Sequence, residues 1–285
     1  MDRQGSPLTA GGISRVPAGF VAAPLLVILA GGLVACTTRA VPVPRVEALP
    51  VLPTAAELQA RIASERMRLQ SLRTLADSEV SGPDGRFRAS EVVLVAPPDR
   101  LRIEVLSTFG VAWILATDGK VLDVYSRQEE TVYRGSPSRS LIEYYLPVPL
   151  ALADLTELLL GRPPPRSTAR ADGVAWEPET GLVRLSMRLR DRGRQTTWFD
   201  GRTGLVSRCE ERDVNDILLF DMRVGGYRNV GSGLVASDIT ILSPEGVQVR
   251  LAYTNSQLNP DLPASLFQIP FVIGARETRL EPPVP

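Results

Sequence analysis

Residues 101–116 read Leu101-Arg102-Ile103-Glu104-Val105-Leu106-Ser107-Thr108-Phe109-Gly110-Val111-Ala112-Trp113-Ile114-Leu115-Ala116. In the first half, Leu101, Ile103 and Val105 alternate with Arg100, Arg102 and Glu104. A period of two marks a strand with one face buried and one face wet. The second half is apolar on both sides: Val111, Trp113 and Leu115 share one face, Ala112, Ile114 and Ala116 the other. Either this strand is covered twice, or one face meets something greasy. Between the halves, Ser107 to Gly110 form a hairpin tip, and Phe109 is out of place there because tips are normally polar. Its ring either folds back onto the sheet edge or projects.

The same alternation recurs along the chain. Val183, Leu185, Met187 and Leu189 oppose Arg184, Ser186, Arg188 and Arg190, and similar runs follow at about 194–200, 204–213, 217–228, 233–242 and 247–257. Asp-Gly pairs at 84–85, 118–119, 172–173 and 200–201 predict tight turns, where positive φ is needed. About eleven to thirteen short antiparallel strands with two or three helices predict a mainly β chain. One strongly curved sheet or barrel fits this better than two domains.

Two segments break the alternation. Thr54 followed by Glu57 has the form of a capping box, and Leu58, Ile62, Leu69, Leu72 and Leu75 recur at helical spacings, so residues 54–75 read as an amphipathic helix. Between 137 and 161, Leu141, Ile142, Tyr144, Tyr145 and Leu146 lead through Pro147 and Pro149 into a short helix whose only charges are Asp154 and Glu157, ended by Gly161 and three prolines. A helix this apolar is buried, as core cover or as the lining of a ligand cavity.

Composition narrows the function. Histidine is absent, which removes the commonest general base, the usual zinc ligand and the Ser-His-Asp arrangement. No enzymatic activity is expected, and no cofactor. The pairs Glu129 with Glu130 and Glu210 with Glu211 are neighbours pointing to opposite strand faces, read as solvated charges. Lys120 is the single lysine. Residues 1–35 carry Arg3 and Arg15 against Asp2, so a formal charge of +0 for the chain becomes −1 without them. Nothing favours nucleic-acid binding.

The start of the chain resembles the signal sequence of bacterial lipoproteins. An uncharged stretch from Val16 ends in Leu33, Val34, Ala35 and Cys36, the pattern of a lipobox whose cysteine is acylated before cleavage. Residues 1–35 are then a signal peptide and Cys36 bears the only covalent lipid. An uncleaved membrane helix is the competing reading, against which stand Pro17, Pro24, Gly31 and Gly32. Residues 36–53, with prolines at 42, 44, 50 and 53, form an extended tether of up to roughly 50 Å. Residues 54–275 are the folded domain and 276–285 a loose tail. Cys209 remains as a lone core thiol.

The succession of lipobox, Pro-rich tether, amphipathic helix, strands, helical insert and strands resembles the LolA/LolB superfamily of lipoprotein carriers over about residues 54–272. The resemblance rests on the hairpin Arg102 to Thr117, the insert ending Leu158, Leu159, Leu160 and Gly161, and the closing run Asn259-Pro260-Asp261-Leu262-Pro263 with Phe267, Ile269 and Pro270. Being lipidated, the chain is more similar to LolB, although Phe109 stands where LolB proteins carry an exposed tip Leu.

The resemblance implies an unclosed antiparallel barrel over helices, with an apolar cavity for acyl chains. Trp113, Leu115, Leu155 and Leu159 are expected to line it, and Phe109 to insert into lipid or a partner. It further implies a monomer on the periplasmic face of the outer membrane, receiving lipoproteins from a LolA-like periplasmic carrier. Thr37, not being Asp, would leave the chain free to depart from the inner membrane. A non-catalytic ligand-binding or structural envelope lipoprotein is the alternative.

Overall fold

A computed structural model describes residues 51–280 except 84, 147 and 271. The expected signal sequence, Cys36, most of the expected tether and residues 281–285 lie outside the described residues, as does Asp84 of the first expected Asp-Gly turn. Thr54 opens α1 (Ala55–Arg68) with a reciprocal capping box: the Glu57 amide donates to the Thr54 hydroxyl at 3.2 Å, and the Thr54 amide to the Glu57 carboxylate at 2.7 Å.

α1 ends seven residues before the predicted Leu75. Leu72 and Leu75 belong instead to β1 (Leu72–Gly82), where Leu72, Thr74, Ala76 and Ser78 are the buried alternating set. Asn259 holds the junction open. Its side-chain oxygen accepts from the amides of Gln70 and Ser71 at 2.7 and 3.1 Å, and its amide group donates to the Arg68 carbonyl at 2.7 Å. A residue 189 positions away thus takes groups that a longer helix would have bonded to itself.

A first meander follows: β1, β2 (Gly85–Ala96), β3 (Arg100–Ser107), β4 (Gly110–Thr117), β5 (Leu122–Ser126) and β6 (Thr131–Gly135). The helical insert comprises α2 (Arg139–Tyr145) and α3 (Leu152–Leu159). A second meander runs β7 (Arg170–Glu177), β8 (Leu182–Arg188), β9 (Arg194–Asp200), β10 (Val206–Arg212), β11 (Leu218–Val230), β12 (Gly233–Leu242) and β13 (Gln248–Leu258). β13 pairs antiparallel with β1, which joins both meanders into one sheet. Finally β14 (Arg276–Arg279) adds in parallel to β6.

The sheet therefore has 14 strands, somewhat more than the expected eleven to thirteen, and the start of the expected loose tail is its last strand. β14 and β7 are the two edges and do not pair, so the curled sheet stays open.

The insert lies against the inner face. Leu141, Ile142, Leu155, Leu158 and Leu159 pack with Leu72, Val93, Leu101, Leu115, Ile239 and Leu251 in the main core. α1 covers the second meander, where Leu58 packs with Val183, Leu185, Met187 and Phe199. The outer face of the first meander is dry as well: Ile114 and Ala116 pack with Val132 and Ile269, and Leu94 and Ala96 with Leu262 and Phe267. β4 is thus covered twice, from outside by the chain that follows β13.

Val111 does not share the face of Trp113, as strict alternation predicts. β4 carries a bulge, Val105 pairing with Trp113 and Leu106 with Val111, so Ala112 is the extra residue. Val111 then packs with the outer cluster.

The Asp-Gly pairs also part ways. Asp118 builds its turn by accepting from the amides of Lys120 and Val121, both at 2.9 Å, with Gly119 alone at positive φ. Asp200 likewise accepts from the amides of Arg202 and Thr203. Asp172-Gly173 is no turn at all: it lies inside β7, where the register slips between Ala171 and Gly173.

Candidate functional site

Between the concave face and the insert lies a cavity of about 460 Å³. Small-molecule sites typically span roughly 300–1,000 Å³. Its wall on the sheet side comes from β1 to β4, β12 and β13, including Val80, Val93, Ile103, Val105, Val249 and Leu251; Tyr145, Leu146, Val148, Leu155 and Leu159 close it from the insert. Trp113 lies in this wall, its ring centroid 6.5 Å from that of Tyr145. Of the four residues expected to line a cavity, Trp113, Leu155 and Leu159 do. Leu115 is fully buried in the main core and is not part of the wall.

One carboxylate interrupts this apolar lining. Glu91 of β2 faces the cavity, and the Ser78 hydroxyl donates to its Oε1 at 2.8 Å. Burial raises the Glu91 carboxyl above its ordinary value, partly offset by the bond from Ser78. Sequence reasoning missed Glu91, yet its signal is visible: Phe87, Ala89, Glu91, Val93 and Val95 are every second residue, an apolar face with one acid in it.

The insert is held in place by buried charge. Glu157 of α3 accepts from Arg162 Nε at 2.9 Å, and Arg162 also donates to the Leu69 carbonyl at the end of α1. A cation at the carboxyl end of a helix is favourable. Arg66 Nε lies 3.5 Å from the same Glu157 oxygen, close enough for charge attraction but without a hydrogen bond. Asp154 binds Arg166 through both oxygens at 2.7 and 2.8 Å, and Arg166 in turn meets both oxygens of Glu211 at 2.9 and 3.0 Å. Glu211 is buried, which corrects its reading as a solvated charge; Gln195 donates to it as well. Cys209 is fully buried beside Thr197, and burial pushes its thiol far up, so it is an inert core group.

Phe109 projects from the β3–β4 tip with 83% of its surface exposed. Its backbone is fixed all the same: its amide donates to the Ser107 hydroxyl at 3.3 Å, its carbonyl accepts from Arg127, and Gly110 takes positive φ. Phe87, at the cavity wall, is 57% exposed. The β1–β2, β3–β4 and β12–β13 connections all fall at one end of the sheet, because antiparallel neighbours reverse there. Phe109 and Phe87 stand at that end, as does the half of the inner face that lines the cavity.

A second cavity, of about 370 Å³, lies between α1 and the second meander. Its wall mixes apolar side chains such as Ile62, Leu160, Phe199 and Leu234 with the charged Arg61, Glu65, Arg162 and Arg202, and is less uniformly apolar than that of the first cavity. No group of three or more metal-ligating side chains occurs among the described residues.

No family model and no curated protein matches the sequence. Solved structures do match the fold. A DUF1329 family protein from Desulfovibrio piger aligns with a TM-score of 0.56 at 14% identity, over 75% of this chain and 95% of that one. A protein described as an outer-membrane lipoprotein-sorting domain from Vibrio parahaemolyticus aligns at 0.54 and 13%, over 75% and 97%. A LolA superfamily protein from Nitrosomonas europaea aligns at 0.53 and 15%, over 76% and 99%. At these identities the likeness is one of fold, and it does not single out LolB. The chain has a LolA-like fold, a large open curled antiparallel sheet around a few helices.

Proposed function

We propose that this protein is a lipid-anchored, non-catalytic envelope protein whose cavity takes up acyl chains and which helps receive lipoproteins and insert them into the outer membrane. The observation that carries the reading is the apolar cavity between the concave face and the insert. Burying methylenes there is favourable by about 25 cal/mol per Å² of apolar surface. Transfer needs no covalent step: a chain moves from a weaker cavity to a stronger one and then to the bilayer. Cys36 supplies the anchor, and each buried methylene of its lipid contributes about 0.8 kcal/mol. Phe109, rigidly mounted and uncovered at the cavity end of the sheet, is the contact with lipid or with a LolA-like carrier.

Native mass spectrometry of the protein made with Cys36→Ala tests the central claim. Copurifying acyl lipid, lost when Leu155 and Leu159 are made polar, is the expected result; a protein free of lipid that also takes none from added vesicles would refute it. A second reading, binding of a different amphiphile without delivery, is favoured by Glu91, since a carboxylate is of no use to a plain hydrocarbon chain.

A further inference from the structure

The apolar cavity contains a charged group that no other part of the fold accounts for. Three carboxylates of the outer face have cationic partners, Glu79 pairing with Arg86 and Arg88, Glu104 with Arg102, and Asp238 with Arg250, while the exposed Asp77 accepts from Ser90 and is open to water. Glu91 points the other way, into the cavity, and among the described residues Ser78 is its only side-chain donor. No arginine or lysine lines that cavity. The neighbours of Glu91 across the sheet are Ala76 on β1 and Val105 on β3, neither of which can donate from its side chain. An acid in such a place is a standing cost to the fold, and one that a ligand cation would remove.

We infer that Glu91, oriented by Ser78, is a specificity-determining residue that selects amphiphiles carrying a protonated primary amine beside an aliphatic chain. The chain occupies the apolar space between β3, β13 and α3, and the ammonium group meets the Glu91 oxygen that Ser78 does not use. A fatty acid is disfavoured at the same place, because two carboxylates in an apolar cavity repel and Ser78, the side-chain donor there, is already used by Glu91. A fatty alcohol lies between, donating one hydrogen bond to Glu91 but bringing no opposite charge. The inference rests on the acyl-cavity reading above and adds the chemistry of the head group.

The test is displacement of an apolar fluorophore from the full chain carrying Cys36→Ala, at pH 7, by dodecylamine, dodecanol and dodecanoate below their micelle concentrations. The same titrations are run with Glu91→Gln added. Any binding to the apolar amino-terminal stretch is common to both proteins, so only the Glu91-dependent difference is read. The amine should displace at a concentration at least about tenfold lower than the alcohol, as a charge-assisted hydrogen bond in an apolar site allows, and the acid should be the weakest. Glu91→Gln should bring amine and alcohol together while leaving the alcohol unchanged.

Equal displacement by amine and acid, or an amine preference that survives Glu91→Gln, would overturn the inference with the cavity reading intact. Failure of all three to displace the probe from either protein would remove the cavity reading itself and the inference with it. The preferred amine then has two possible sources, which lysophosphatidylethanolamine, with a head-group amine, and S-hexadecyl-cysteine amide, with an α-amine beside the thioether, distinguish by their order of displacement.

Discussion

The Tyr253 hydroxyl donates a 2.9 Å hydrogen bond to the carbonyl oxygen of Leu159, and the whole contact is buried. Leu159 ends α3, and the residue that a continuing helix would bring to its carbonyl is Pro163, which has no amide hydrogen. A tyrosine 94 positions away on β13 supplies the missing donor and ties the roof of the cavity to its wall. Tyr253→Phe should therefore lower stability by about 1–3 kcal/mol, the cost of a buried carbonyl left without a partner. Urea denaturation of the two proteins measures it; an unchanged midpoint would mean that this contact does not hold α3.

The clamp below α3 should be more costly to open. Arg162 and Glu157 are each only 6% exposed, and removing one member of such a pair leaves the other charged and buried. Arg162→Ala is expected to destabilise by about 3–5 kcal/mol, with the end of α1 losing hydrogen-exchange protection because the Leu69 carbonyl loses its donor.

Phe109→Glu separates projection from packing. With the ring uncovered, the substitution should leave the melting temperature within about 1 °C and cavity binding intact, since exposed positions seldom move stability by more than about 0.5 kcal/mol. Transfer of a lipoprotein to vesicles should collapse. Normal transfer by a stable Phe109→Glu protein would end its role in insertion.

Glu91 gives stability a pH dependence of known sign. Its carboxyl lies above the ordinary value in the fold, so between that value and the raised one the native state holds a proton that the unfolded chain has released. Stability contributed by this group is lost as pH rises through that window. Glu91→Gln should be the more stable protein above the window, and the two should converge in acid; parallel curves from pH 3 to pH 8 would show that Glu91 is not desolvated.

Fractionation tests the anchor. Wild type should follow the outer membrane and Cys36→Ala should be released from it; retention of the variant there would take the lipobox out of the account.

Strands β8 to β13 were legible in the sequence almost to the residue, because most of them bury one face and show the other to water, so the period of two is written in the residues; β7 was not, since its Asp172-Gly173 pair reads as a turn. The capping box of Thr54 and Glu57 was equally local, and so was the apolar character of the insert. The end of α1 was not. Leu69, Leu72 and Leu75 satisfy a helical spacing, and only the pairing of β1 with β2 and β13, with Asn259 bridging the junction, makes the last two strand residues.

Nor does sequence say which greasy face encloses space. Trp113, Leu115, Leu155 and Leu159 are alike as residues, yet three border a cavity and Leu115 meets only core. The bulge at Ala112 that moves Val111 to the outer face depends on how β3 and β4 pair. By itself the sequence determined an antiparallel β chain with a buried apolar insert, since these follow from local periodicity and composition. The tertiary structure alone decided that the sheet stays open, that its concave face leaves room beside the insert, and that Glu91 faces that room, because each depends on strand order and curvature that bring together residues more than a hundred positions apart.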